Sequence, residues 1–157
     1  MKPKLKILMI DDSQTVRNSY KIVLDHLKEY YELESDIIET PGKALSRVTD
    51  AEHDPYDIVC LDIAINPSHD KSIMLGEDLA VRIREMMPFI KIMIITHHDK
   101  KERLVPIYSK LQPEGLLLKH QEGFDSICRA IRKIREGETF YSKGLENIID
   151  ELKKRNK

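Results

Sequence analysis

Four short apolar segments of this chain are each followed by side chains that carry a charge or a hydroxyl. The segments are residues 5–10, 58–61, 92–95 and 116–118, and the side chains are Asp11 and Asp12, then Asp62, Thr96 and Lys119. The segments are rich in Ile, Leu and Val and alternate with helix-like stretches, which predicts a parallel sheet covered by helices on both faces. Ligand sites in such sheets lie beyond the carboxyl ends of the central strands, so these five side chains are expected to converge.

The order of the elements predicts an α/β chain with a doubly wound, five-stranded parallel sheet in the order 2-1-3-4-5. The second strand, near residues 33–38, ends in Glu39 and adds no obvious chemistry, as expected for an edge strand. The first helix is predicted over residues 13–30, with Asp12 or Ser13 as its cap. The fourth helix should be kinked or shortened, because Pro106 lacks an amide donor.

Residues 63–75 form a long connection after the third strand. Most connections of this kind contain about 2 to 6 residues, and the polar content of this one predicts a mobile loop. The helix after it is predicted over residues 76–87 and is expected to bury Met86.

The carboxyl end carries an apolar stripe at helical spacing, which predicts a short extra C-terminal helix. Its members are Leu145, Ile148, Ile149 and Leu152. A helix this short needs a packing partner, so we expect it to pack on the rest of the chain or on a second copy, with the fifth helix contributing. We therefore predict one domain over residues 1–136 and a linker or short helix over residues 137–157.

Charge and cysteine content exclude several classes of protein. A net charge of -1 and a pI near 6.6 give no general attraction to nucleic acid or to an anionic membrane, so we expect neither as a direct partner. Cys60 and Cys128 fall in a predicted strand and a predicted helix and are expected to be reduced core residues. The chain shows no membrane-length apolar run and no signal-peptide pattern, so a cytoplasmic location is expected.

The converging side chains form a set suited to phosphoryl chemistry. Transfer of a phosphoryl group to a carboxylate brings two anions together, and a hard divalent cation such as Mg²⁺ commonly compensates for them. Asp11 and Asp12 could hold the metal, Asp62 could both bind it and act as nucleophile, and Thr96 and Lys119 could contact phosphoryl oxygens. Taken singly, each residue also has an ordinary explanation, such as helix capping for Asp11 or Asp12.

Four segments of the chain resemble the signature segments of CheY-like receiver domains from two-component response regulators. They are ILMIDDS at residues 7–13, DIVCLDI at 57–63, IMIIT at 92–96 and GLLLK at 115–119. The resemblance implies a flavodoxin-like fold and phosphorylation of Asp62 by a histidine kinase or phosphotransfer protein. It also implies Mg²⁺ held by Asp12, Asp62 and the main-chain carbonyl of Ala64, with Asp11 acting mostly through water, and a signalling module rather than a turnover enzyme.

The chain departs from the family pattern at three positions. Leu116 stands where the family often has an aromatic switch residue, and bulky His97 follows Thr96 where a small residue is common. His120 stands where the family usually has a cis proline, so this turn is predicted to be trans. His97, His98 and Asp99 could be read as a metal cluster, but adjacent residues seldom ligate one ion, so loop histidines are favoured.

The carboxyl end, from Ala130 to Ser142, resembles the last helix and linker of LuxR-type transcriptional regulators. A homodimer through the fourth helix, fifth strand and fifth helix, or through the tail, is a further expectation. Two alternatives stay open. One is a pseudo-receiver that binds partners without phosphorylation; the other is a haloacid-dehalogenase-like phosphatase, disfavoured because Ser13 stands where that family's Asp-x-Asp motif needs its second aspartate.

Overall fold

The computed structural model describes residues 1–64, 76–97 and 100–155. The described strands are β1 (Lys4–Ile10), β2 (Glu32–Ile38), β3 (Ile58–Leu61), β4 (Lys91–Thr96), β5 (Gly115–Leu118) and β6 (Phe140–Tyr141). The described helices are α1 (Gln14–Leu27), α2 (Pro41–Asp50), α3 (Gly76–Met86), α4 (Lys101–Leu111), α5 (Phe124–Arg135) and α6 (Glu146–Arg155), with a short 3-10 helix at Lys143–Leu145.

The strands form one parallel sheet in the order β2-β1-β3-β4-β5-β6. The predicted doubly wound sheet in the order 2-1-3-4-5 is confirmed, and the sheet carries one short strand more than the five predicted. Phe140 and Tyr141 pair with Gly115 and Leu116 and add a sixth strand. A two-residue strand is too short to show an alternating pattern, so no periodic signal could predict it.

The sheet separates two apolar cores, because successive side chains of a strand point to opposite faces. In β1, Leu8 and Ile10 pack with buried residues of α2, α3, α4 and α6. Ile7 and Met9 pack on the other face with α1 and α5. This arrangement buries the central strands on both sides, which accounts for their almost unbroken hydrophobic composition.

Three local predictions have different outcomes. Ser13 is the cap of α1, since its hydroxyl accepts a hydrogen bond from the Val16 amide at 3.4 Å. Pro106 does not shorten α4, which continues from Lys101 to Leu111 around it. The expectation that Met86 is buried is wrong: Met86 is 41% exposed and its neighbour Met87 lies in the core instead.

The C-terminal helix α6 packs on the same chain. Leu145, Ile149 and Leu152 are buried in the core that contains Leu104 of α4 and Leu116 of β5. The predicted helix and its packing are confirmed, but the expected contribution of the fifth helix is wrong, because the buried residues of α5 belong to the core on the opposite face of the sheet.

The predicted mobile loop falls mostly on residues 65–75, which lie outside the described residues. The described ends of that connection meet: the Gly76 amide donates a hydrogen bond to the Ile63 carbonyl at 3.3 Å. Cys60 and Cys128 are buried free thiols, as predicted. No helix in the described ranges is both long and apolar enough to span a membrane.

Candidate functional site

The structure brings three of the predicted site residues into direct contact at the carboxyl edge of the sheet. Asp11 follows β1 and Asp62 follows β3, and these strands are neighbours in the sheet. The Lys119 ammonium, supplied by the end of β5, donates to Asp62 Oδ2 at 2.7 Å and to Asp11 Oδ2 at 3.2 Å. One cation therefore links two carboxylates that are almost completely buried.

The second oxygen of each carboxylate accepts a hydrogen bond from the main chain. The Ser13 amide donates to Asp11 Oδ1 at 2.9 Å, and the Ala64 amide donates to Asp62 Oδ1 at 2.9 Å. Both amides lie two residues after the carboxylate that they bind, so the turn leaving each strand fixes the orientation of its own aspartate. These two hydrogen bonds hold both carboxylates in position without the help of a ligand.

Thr96 is the last residue of β4 and is fully buried. Its carbonyl accepts a hydrogen bond from the Lys119 amide at 2.8 Å, which holds the turn carrying the ammonium against the end of β4. The next peptide bond, between Lys119 and His120, is trans, as predicted. Thr96 and Lys119 are thus placed together by the backbone.

The turn after Lys119 is also tied to the carboxyl-terminal segment. The hydroxyl of Ser142, a buried residue directly after β6, accepts from the Leu118 amide at 2.8 Å and donates to Glu122 Oε1 at 2.7 Å. The extra strand therefore stabilises the part of the chain that presents Lys119. No sequence pattern indicated this role for Ser142.

The electrostatic environment affects the two charged partners differently. Burial raises the pKa of Asp11 above its ordinary value, although the Ser13 amide and the Lys119 ammonium oppose this shift. Burial alone would lower the pKa of Lys119, but the hydrogen bond to Asp62 and the charges of Asp62 and Asp11 raise it overall. Lys119 is therefore held in its charged form between two acids.

The remaining predicted metal ligands lie at the edge of this cluster. Asp12 and Ala64 are exposed to solvent. Within residues 1–64, 76–97 and 100–155, no group of three or more His, Cys, Asp or Glu side chains is close enough together to hold a metal ion. The donor chemistry still fits a hard cation, because carboxylate and carbonyl oxygens are the ligands that Mg²⁺ prefers.

Two residues near the site were missed by the sequence analysis. Arg17, in the first turns of α1, donates to the Asp11 main-chain carbonyl at 3.0 Å. Tyr20 is buried with its hydroxyl close to the Asp11 carboxylate, although the hydroxyl makes no hydrogen bond of standard geometry in the described part of the chain. Burial and the charges of Asp11, Cys60 and Asp62 raise its pKa well above the ordinary value. Both positions resemble ordinary helix residues, so spacing alone could not reveal them.

The three residues that depart from the receiver pattern differ in their exposure to solvent. His97 and His120 are exposed at the edge of the site. Leu116 is buried in the core under α4 and α6. His98 and Asp99 lie outside the described residues, so the histidine cluster cannot be placed as a unit.

The chain has the fold of CheY-like receiver domains of response regulators, with acidic and basic side chains at the carboxyl edge of the sheet. A receiver domain of this type from Methanospirillum hungatei JF-1 is 21% identical, has a TM-score of 0.67, and is aligned over 85% of this chain and 95% of its own. A LuxR-family response regulator from Aurantimonas sp. SI85-9A1 is 19% identical, has a TM-score of 0.74, and is aligned over 96% and 98%.

A curated sequence relative also falls in this group. The nitrate/nitrite response regulator protein homolog of Haemophilus influenzae is 27% identical over 152 residues, which cover 95% of this chain. The chain spans 65% of the length of that relative. No family model matches the sequence.

Proposed function

We propose that this chain is a response-regulator receiver domain that accepts a phosphoryl group on Asp62. The observation that carries the proposal is the shared Lys119 ammonium, 2.7 Å from Asp62 and 3.2 Å from Asp11, at the carboxyl edge of a receiver-type sheet. The proposal assigns this cluster to signalling by phosphorylation rather than to catalytic turnover of a substrate.

In the proposed reaction a carboxylate oxygen of Asp62 forms a bond to phosphorus while the bond from phosphorus to the imidazole nitrogen of a phosphohistidine donor breaks. The leaving imidazole takes up a proton from water, and Asp62 becomes an acyl phosphate. Lys119 supplies a fixed positive charge to the phosphoryl oxygens, and the Thr96 hydroxyl is the proposed donor to one of them. The Ala64 amide holds Asp62 in a fixed orientation through its other oxygen.

Two carboxylates and one ammonium leave the buried cluster with an excess negative charge, which a phosphoryl group would increase. When bound, Mg²⁺ would supply the compensating charge at the reacting oxygens. Asp12, Asp62 and the Ala64 carbonyl are the proposed ligands, with Asp11 acting mostly through water. The exposed position of Asp12 supports this assignment, because its carboxylate lies at the solvent side of the site.

The proposed phosphoryl donor is a sensor histidine kinase or a phosphotransfer protein, and the proposed location is the cytoplasm. The net charge of -1 supports a role without direct nucleic-acid binding by this chain.

We also propose residues 1–136 as the receiver unit and residues 137–157 as the segment through which a longer regulator would connect. A homodimer through α4, β5 and α5 remains a proposal, and the packing of α6 on α4 means that such a dimer would have to accommodate or displace this helix.

The direct test is incubation of the purified chain with Mg²⁺ and a small phosphodonor, followed by intact-mass measurement. The wild-type protein should gain one phosphoryl group, and Asp62→Asn should gain none. Asp12→Ala should abolish labelling, whereas Asp11→Ala should reduce it less. Wild-type labelling of Asp62→Asn would refute the assignment of the acceptor.

A phosphorylation-independent pseudo-receiver is the second candidate. The observation that favours it is that Lys119 already bridges Asp11 and Asp62, while Leu116 occupies the position where receivers often carry an aromatic switch residue. Failure of the wild-type chain to become labelled, or to bind Mg²⁺ in a calorimetric titration, would favour this function.

A further inference from the structure

The amino end of α3 is fixed directly to the main chain of the proposed acceptor. Gly76 lies so close to that segment that a Cβ atom there would be 2.5 Å from Ile63 Cα and 2.8 Å from the Asp62 carbonyl oxygen. The Gly76 amide also donates to the Ile63 carbonyl. The start of α3 therefore cannot stay in place if the main chain at residues 62 and 63 moves towards it.

The next residue, Glu77, forms an ion pair with α4. The Arg103 guanidinium donates two hydrogen bonds to the Glu77 carboxylate, one from Nη1 to Oε2 and one from Nη2 to Oε1 at 3.0 Å. The Glu77 side chain is 8% exposed and the Arg103 side chain 32% exposed. The hydrogen bonds that Arg103 donates to Glu77 raise the pKa of Arg103, and the charges of Glu77 and Asp78 add to this effect. This two-pronged geometry fixes both the distance between the groups and their relative orientation.

Arg103 lies in the first turn of α4, next to the buried Leu104. Lys100 is the N-cap residue of α4, and its side chain makes no capping hydrogen bond. A buried carboxylate that loses its partner is strongly unfavourable, so the start of α4 is constrained to follow Glu77.

We propose that the Glu77–Arg103 pair couples the main chain of Asp62 to the position of α4. The connection consists of a close main-chain contact at Gly76, the covalent link to Glu77 and a two-pronged ion pair to α4. The inference rests on the proposed function, since phosphorylation of Asp62 is the event that would use the coupling. It assigns to Glu77 and Arg103 a positioning role, because neither side chain contacts Asp62, Asp11 or Lys119 in the described hydrogen bonds.

The same two helices supply a matched control. Asp78 and Lys110 form a second ion pair between α3 and α4, with a separation of 3.6 Å and both side chains at least 36% exposed. Asp78 is adjacent to Glu77, but Lys110 is in the last turn of α4. An exposed pair of this kind contributes little to positioning, because solvent screens it and both side chains are mobile.

The first experiment measures amide hydrogen exchange of residues 101–111 with and without Mg²⁺ and beryllofluoride, a phosphoryl analogue. In the wild-type chain, loading should change exchange in the first turn of α4 by at least about fivefold, the lower end of typical coupling between sites. Glu77→Gln keeps the shape of the side chain and should remove most of that change without preventing loading. Lys110→Gln, which breaks the exposed ion pair and leaves the charges beside Arg103 in place, should respond like the wild-type chain. A full α4 response in Glu77→Gln, or none in a loaded wild-type chain, would overturn the inference.

The second experiment needs no loading, because coupling between two sites is reciprocal. Arg103→Gln should speed exchange of the Gly76 amide by a similar factor in the unloaded protein, whereas Lys110→Gln should not. Unchanged exchange at Gly76 in Arg103→Gln would overturn the coupling even if Asp62 is phosphorylated. If the wild-type chain fails to load, the proposed function is refuted, and this second measurement decides the coupling alone.

Discussion

Two buried ionic clusters of this molecule differ in their balance of charge. At the carboxyl edge of the sheet, two carboxylates share one ammonium, that of Lys119. Between α3 and α4, Glu77 is paired with Arg103. Among the described residues, the charges of Glu77 and Arg103 balance each other, whereas the two carboxylates at the sheet edge exceed the one ammonium and leave negative charge that another cation could compensate. The comparison separates a pair suited to holding helices together from a group suited to binding a charged ligand.

The difference also determines what happens when the cation is removed. Loss of one partner from a buried ion pair is costly because the remaining charge stays in a poorly solvating environment. At the sheet edge two carboxylates would be left facing each other, whereas between α3 and α4 a single carboxylate would remain. The following predictions test this contrast, beginning with the largest effect.

Lys119→Met should lower the free energy of unfolding at neutral pH by about 3 kcal/mol, since it leaves Asp11 and Asp62 without their shared cation. Urea denaturation with a two-state fit measures the change. The loss should shrink as the pH is lowered, because burial raises the pKa of Asp11 and its carboxylate becomes protonated. Lys110→Met, which removes the exposed partner of Asp78, serves as the control and should change stability by less than about 1 kcal/mol. Equal losses from the two variants would contradict the contrast.

Arg103→Met should cost about 1 to 2 kcal/mol, less than the change at Lys119, because the Arg103 side chain is about one-third exposed and water can partly replace it. The double variant Glu77→Met with Arg103→Met should recover much of the loss, since it removes both charges. Together with the wild type and the single variant Glu77→Met, these two variants form a double-mutant cycle in the same urea assay. Additive losses would show that the pair has no interaction energy of its own.

Asp11→Asn should make the unloaded chain more stable than the wild type at neutral pH. Burial raises the pKa of Asp11 above 3.8 in the native state, so between that value and the raised pKa the native state binds more protons than the unfolded state. Stability from this group is therefore gained as pH falls through the raised pKa and lost as pH rises through it. The advantage of Asp11→Asn, measured by denaturation at several pH values, should shrink on acidification. A constant advantage would mean that Asp11 does not control the difference.

The features of the fold and the site that could be predicted from the sequence are those with local signals. The strand order and the convergence of Asp11, Asp62 and Lys119 followed from apolar runs and from the residue at each strand end, both of which are local patterns. Glu77 could not be recognised in this way, because an acidic residue in the first turn of a helix is common. Its importance depends on Arg103, 26 residues later, and on the crossing of two helices.

The features that were not predicted correctly are the buried methionine, the sixth strand and the partner of α6. They depend on contacts between distant parts of the chain or on the exact end of a helix. Met86 and Met87 are adjacent and chemically identical, but Met86 is the exposed last residue of α3 and Met87, directly after the helix, is buried. The two-residue strand β6 is specified by pairing with β5 and by the hydrogen bonds of Ser142, both of which are contacts between distant parts of the chain. The side of the sheet on which α6 packs likewise depends on the path through β6, so the stripe predicted the helix but not its partner.

Tyr20→Phe should produce the smallest change and tests whether every buried polar group near the site is compensated. The Tyr20 hydroxyl lies in the core near the Asp11 carboxylate but makes no hydrogen bond of standard geometry in the described residues, so its removal should leave stability unchanged or raise it by up to about 1 kcal/mol. Tyr56→Phe is the matched control, because the Tyr56 hydroxyl donates to the Asp36 carboxylate. That variant should lose about 1 to 2 kcal/mol, since a hydrogen bond to a charged group is removed. Thermal and urea denaturation of the two variants measure both changes. A larger loss in Tyr20→Phe than in Tyr56→Phe would show that the Tyr20 hydroxyl is bound in solution, and the acidic cluster of Asp11 and Asp62 would then extend into α1.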